Sequence, residues 1–208
     1  SVSTEKLDTS SKASANIKSQ EGTYFDTFFN YTLDYDKRNQ KYQTTDGYRS
    51  RFSQKIPLIN KSNTLTNTYD YKTYSVWFNE NITSLGFYAE ATNSLNGKNV
   101  KLSDRIFLSP NKLRGFESGK VGPKDGTDFI GGNYVMAVNL ATTLPQVLPN
   151  LQNIDFSLFL DAANVWGIDY SSSLSDDSKI RSSVGLAVDF FTPIGPLNFS
   201  FSEVITKT

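Results

Sequence analysis

Cysteine and histidine are both absent from the 208 residues of this chain. Their loss removes ordinary zinc sites, Ser-His-Asp triads and Cys-His pairs, so only carboxylates, lysines, tyrosines and serines remain for any chemistry. A chain without cysteine needs neither a disulfide nor a reducing compartment, and it fits an oxidising envelope. An excess of charge is missing as well: Lys+Arg and Asp+Glu both number 21. The strongly basic surface that nucleic acid selects is therefore not there. Nor is there any run of roughly eighteen apolar residues, which excludes a spanning helix. The mean hydropathy of −0.41 still permits a membrane location, because a transmembrane β-barrel shows lipid only every second residue. No initiating Met or hydrophobic leader is visible, so a processed chain or an excised piece is expected.

Aromatic residues, by contrast, are plentiful at 13 %, with 11 Tyr and 15 Phe, which suits interfacial girdles and equally any large β protein. The C-terminal half alternates at a period of two. From Tyr134 the even positions are Tyr134, Met136, Val138 and Leu140, while the odd ones are Val135, Ala137, Asn139 and Ala141. The next run sets Ile154, Phe156, Leu158 and Leu160 against Asp155, Ser157, Phe159 and Asp161. Val184, Leu186, Val188 and Phe190 then oppose Arg181, Ser183, Gly185, Ala187 and Asp189, and Leu197, Phe199 and Phe201 oppose Asn198, Ser200 and Ser202. Runs of this kind are strands with one greasy face.

The N-terminal half is noisier, with Phe25, Phe29, Tyr31, Leu33 and Tyr35 on one face, and further strands expected at about 48–58, 65–78 and 82–93. That makes about eight strands in all. Asp46-Gly47 is a tight-turn signal, and residues 78–81, Pro145 to Pro149 and Pro193 to Pro196 mark other short returns. Long polar stretches fall at about 94–132 and 167–180. Short turns on one side and long loops on the other are how outer-membrane barrels are organised. Residues 1–23, rich in Ser, Thr and Lys, read as a polar loop or disordered lead-in to a barrel segment over 24–208.

Periodicity alone leaves two architectures open, a lipid-facing barrel and a soluble β-sandwich whose greasy faces stack on a second sheet. The content of the other face, with Arg181, Asp161, Asp189 and Asn139 amid small residues, favours a wet or plugged lumen. Within the long loop stands Leu113-Arg114-Gly115-Phe116, followed by Val121-Gly122-Pro123-Lys124 and Gly131-Gly132-Asn133. Later come Phe159-Leu-Asp161-Ala-Ala-Asn-Val-Trp166 on one strand and Thr192-Pro-Ile-Gly195-Pro196-Leu-Asn-Phe-Ser200 at the next turn. A lone Arg-Gly-Phe is weak, since a loop arginine is usually solvated; the ordered set is specific.

In this order and spacing the motifs resemble the C-terminal half of the barrel in the BamA family, the insertases that assemble outer-membrane β-barrel proteins. The resemblance runs from about residue 24 to 205 and is strongest after Lys112. It implies an all-β antiparallel transmembrane barrel fragment, about eight strands of a roughly sixteen-stranded up-and-down barrel, with a long inward-folding extracellular loop. It further implies that Arg114 meets Asp161 on the inner wall, that Gly115 permits a kink at the loop tip, and that Phe116 packs inside. Lys124 is expected as a second tether. The second wall acid of the family falls at Ala141, so Arg114 is expected to lean on Asp161 alone or to recruit Glu90. Ala163 stands where glycine is usual, and the chain stops at Thr208, before the strand that would close a family barrel.

The function implied is the folding and insertion of outer-membrane β-barrel proteins in the bacterial outer membrane, with no nucleotide hydrolysis, no cofactor and no metal. The partners implied are membrane lipid, client barrel proteins and accessory assembly lipoproteins, with self-pairing through open strand edges a further expectation. A related secretion pore exporting a passenger is the alternative, and a soluble β adhesin or binding module is a more distant one. An enzyme is the least expected class: Asp125 and Asp128 could hold a cation, but acids in a polar loop are usually just hydrated.

Overall fold

In the computed structural model the described residues are 2–60, 63–77, 81–144, 153–170, 174 and 178–206, with 59 and 60 described by backbone alone. The strands are β1 (Val2–Leu7), β2 (Gly22–Asp36), β3 (Gly47–Asn60), β4 (Thr64–Val76) and β5 (Ile82–Ser94), followed by the two-residue β6 (Lys124–Asp125) and β7 (Asp128–Phe129). The series ends with β8 (Tyr134–Thr143), β9 (Ile154–Trp166), β10 (Arg181–Thr192) and β11 (Gly195–Thr206). Nine of them form one sheet in the order β1-β2-β3-β4-β5-β8-β9-β10-β11, every neighbour antiparallel, while β6 and β7 pair with each other. The eight long strands have ten to fifteen residues, enough to cross a hydrocarbon core with tilt. No helix among the described residues is long and apolar enough to do so.

The eight long strands are those marked by alternation. The ninth, β1, lies in the segment read as an irregular lead-in, together with the one-turn helix α1 (Ala15–Lys18). Its Ser/Thr/Lys composition carries no greasy face. What orders it is backbone pairing to β2 from Val2↔Thr27 to Leu7↔Gly22. Asp46-Gly47 is likewise not a tight hairpin: it ends the connection 37–46, in which Lys37 N–H donates to the Tyr48 carbonyl and Asn39 N–H to the Asp46 carbonyl. Asn39 Oδ1 accepts from the backbone of Thr45 and Asp46, competing with a two-residue turn. Pro193-Ile194 does form a short return between β10 and β11. The turns expected at 78–80 and at Pro145 to Pro149 lie outside the described residues. Pro57, which can donate nothing to a ladder, sits where the β2–β3 register shifts, next to Phe28.

Alternation divides the sheet into two faces. Met136, Val138, Leu140, Leu158, Leu160, Val184, Leu186, Leu197, Phe199 and Phe201 are exposed along β8–β11, as are Phe25, Phe29, Leu33 and Tyr35 on β2. An aromatic row crosses this outer face diagonally, Tyr35 to Tyr48 and Tyr48 to Tyr71 at 5.9 Å, and the directly paired Tyr134 and Trp166 stand 5.9 Å apart. A sandwich would bury this face against a second sheet; here it stays open while the opposite face is filled by the chain's own long loop. That loop touches β1, β2, β4 and β9, so the sheet curls around it. Among the described residues β1 and β11 each pair on one side only, and the sheet is not closed.

Candidate functional site

Residues 95–133 connect β5 to β8 and fold back against the inner wall. The reason lies in the few apolar side chains of this polar stretch. Ile106, Leu108, Leu113 and Val121 are buried against Val135 and Ala137 of β8 and Ala163 and Val165 of β9, with Tyr88 and Phe116 packed beside them. Ile106 and Gly132 exchange backbone hydrogen bonds of 2.8 and 3.0 Å, which ties the start of the loop to its end.

At the lower edge of this apolar cluster Arg114 meets Asp161. The backbone N–H of Arg114 donates to Oδ2 of Asp161 at 3.1 Å, Nε to the same oxygen at 2.7 Å, and Nη2 to Oδ1 at 2.8 Å. Asn139 Nδ2 adds a fourth donor to Oδ1 at 2.8 Å and also holds the Lys112 carbonyl at 2.9 Å. Asp161 is fully buried, so its charge is stabilised by these four donors rather than by water. The guanidinium carbon lies 3.4 Å from the centre of the Phe159 ring, a cation–π contact in a partly dry setting. Phe159 can lie flat there because its cross-strand partner is Gly185: a Cβ at that position would stand 2.6 Å from the ring.

Gly115, the next residue, has φ +86, and a Cβ there would stand 2.7 Å from Ser202 Oγ on β11. Positive φ and a close strand together demand glycine at the tip. Glu90, offered as a second partner for Arg114, does not reach it; its carboxylate takes the Tyr88 hydroxyl instead. Ala141, the position expected for a second wall acid, offers Arg114 nothing; Asn139 is the β8 residue that meets Asp161. The β8–β9 register puts Asn139 opposite Asp161 and leaves Ala141 opposite Phe159, one inward position lower. Lys124 is exposed and stacks on Phe129 at 4.3 Å across the β6–β7 pair, so it tethers its own hairpin and not the wall. Asp125 is buried and accepts from Ser14 and, at 3.4 Å, from Tyr170, which fastens α1 over the loop. Burial and then Asp125 push the Tyr170 hydroxyl up to about 12.

Three further cations of the loop find acids, two of them on the wall. Lys112 Nζ reaches Asp70 of β4 at 2.6 Å and lies 4.5 Å from the Tyr88 ring centre. Lys101, buried, reaches Glu5 of β1 at 2.7 Å and Asp26 of β2 at 3.1 Å. Burial pulls its ammonium down, but the bond to Glu5 and the charge of Asp104 outweigh this and hold it above its usual range. Arg105, whose side chain is wholly buried, pairs with Asp169 beyond β9. Sequence reasoning singled out only Arg114 among these four. The missed signal was spacing: Lys112 and Arg114 flank Leu113, so with Leu113 buried they reach β4 and β9 on either side.

The Omp85 superfamily domain model matches residues 1–208. Over 133 residues the chain is 32 % identical to a SAM50-like protein of Schizosaccharomyces pombe, covering 60 % of this chain and 28 % of that protein. Over 122 residues it is 28 % identical to the outer membrane protein assembly factor BamA of Neisseria meningitidis, covering 46 % of this chain and 15 % of that one. The crystal structure of BamA from Haemophilus ducreyi lacking POTRA domains 1–3 matches with a TM-score of 0.79 at 28 % identity, over 89 % of this chain and 40 % of that one. The chain therefore spans well under half the length of these relatives.

Proposed function

This chain belongs to the Omp85 superfamily, and on that premise we propose that the intact protein folds and inserts β-barrel proteins into the bacterial outer membrane without nucleotide hydrolysis. Two relatives support this, one named an outer membrane protein assembly factor and the other SAM50-like. The outward greasy face supplies the lipid contact, and insertion proceeds by opening of a weak seam that templates client strands through edge pairing. Client barrel proteins are the partners this reading requires, and accessory assembly lipoproteins are to be sought by affinity purification of the intact protein. Pairing of this segment with a second copy through its open edges would register as a doubled mass in detergent.

The observation that carries the reading is the seat of Arg114 on a fully buried Asp161 inside a sheet whose other face is greasy. Arg114, Gly115, Phe116 and Asp161 form a latch: they hold the loop at one height in the lumen and perform no bond chemistry. Lys124 and Glu90 stand outside it. Removing either member of a buried ion pair leaves an uncompensated charge, so the latch acts mainly as a position-setting device. The test is Asp161→Ala in cells depleted of the wild-type copy. Assembled outer-membrane proteins should fall and the loop should become protease-sensitive; normal assembly with a fully protected loop overturns the assignment.

A further inference from the structure

The connection 37–46, at the opposite end of the lumen from the long loop, does more than join β2 to β3. It is internally braced: Asn39 Nδ2 donates to Thr45 Oγ1 at 2.6 Å, Thr44 Oγ1 to the Gln40 carbonyl at 2.8 Å, and Arg38 forms a bidentate pair with Asp36. Its tip leaves the β2–β3 pair and reaches β9, four strands further along the sheet, where Gln43 Nε2 donates to Asp155 at 3.4 Å. Gln43 has φ +48, the only positive φ outside glycine among the described residues. A non-glycine residue in that region is uncommon and persists when its surroundings hold it.

Between this tip and the long loop lies a cavity of about 550 Å³, bounded on one side by Lys41 to Thr44 and on the other by Lys112 and Arg114. Its walls carry Ala141, Ser157 and Asp189. We propose that the 37–46 connection is a second gate, closing the lower mouth of the lumen through Gln43 and Asp155 as the long loop closes the upper half. In the intact barrel the cavity between them is then a chamber capped at both ends, entered from below when the tip swings off β9. This does not depend on the insertase reading, since a gated lumen serves any Omp85 protein.

The test uses the intact protein in detergent with Ala141→Cys as a reporter on the chamber wall; these 208 residues hold no cysteine, and any cysteine elsewhere in the intact protein is first replaced by serine. A polar maleimide should label it slowly. Adding Gln43→Ala should raise the rate roughly tenfold, the equilibrium worth of one hydrogen bond to a charged acceptor. Replacing residues 39–45 by Asn-Gly should raise it further. A rise only with the shortened connection keeps the gate and places its hold elsewhere in the tip. Equal rates in all three proteins overturn it. Should the shortened variant fail to fold, the Gln43→Ala rate decides alone.

Discussion

The upper and lower halves of the inner wall obey the same alternation and have opposite chemistry. Descending β8 and β9 together, the inward cross-strand pairs are Val135 with Val165, Ala137 with Ala163, Asn139 with Asp161, Ala141 with Phe159, and Thr143 with Ser157. The first two pairs are dry and packed by the loop. Below Asp161 one apolar pair remains, Ala141 with the buried Phe159, before the wall turns polar at Thr143 and Ser157, and on β2–β4 it carries ladders such as Arg49 and Arg51 on Asp34, which keep substantial exposure. The Arg114–Asp161 pair sits at the boundary. The comparison teaches that inward-facing does not mean wet: the loop converts half of the lumen into a core and ends at the level where a charged group can still be fully satisfied.

The largest effect that would break this contrast is Asp161→Ala, expected to cost about 3–5 kcal/mol because it strands a guanidinium and its neighbouring donors. Thermal unfolding of the intact protein in detergent reads it, and a loss below about 1 kcal/mol would mean that water already reaches the boundary. Next is Val165→Ala, in the dry half, at about 2 kcal/mol for the lost packing; a null result there would deny that the upper wall is a core. Asn139→Ala should follow at about 1–2 kcal/mol, since Asp161 keeps its bonds to Arg114. Hydrogen exchange at the Arg114 and Lys112 amides would localise that loss to the tip. The smallest is Lys112→Met, under about 1 kcal/mol, because this pair is part-exposed. Its effect should vanish in high salt while that of Asp161→Ala persists, and equal salt responses would erase the distinction between the halves.

Much of the fold was legible from period alone. Eight strands were marked because their outward side chains must meet hydrocarbon, which leaves a two-residue rhythm no helix reproduces. β1 was not legible, since its residues make no greasy face and its order comes from β2 and from Lys101 reaching Glu5. In the site, Arg114 and Asp161 were readable through motif and register. Lys101, Arg105 and Lys112 were not, because a loop cation looks the same in sequence whether it meets water or a wall 42 to 96 positions away. The inward crossing of 37–46 was hidden for the same reason: Asp46-Gly47 has the chemistry of a tight turn, and only the brace around Asn39 overrides it.

The amino-acid order by itself determined which face of each strand is greasy, because alternate side chains of an extended chain must point to opposite sides. Tertiary structure alone decided how the other face is used. Whether an inward valine meets water or a leucine, and whether Asp161 is hydrated or gripped by four donors, depends on where a 39-residue loop comes to rest, and that is set by contacts between segments far apart along the chain.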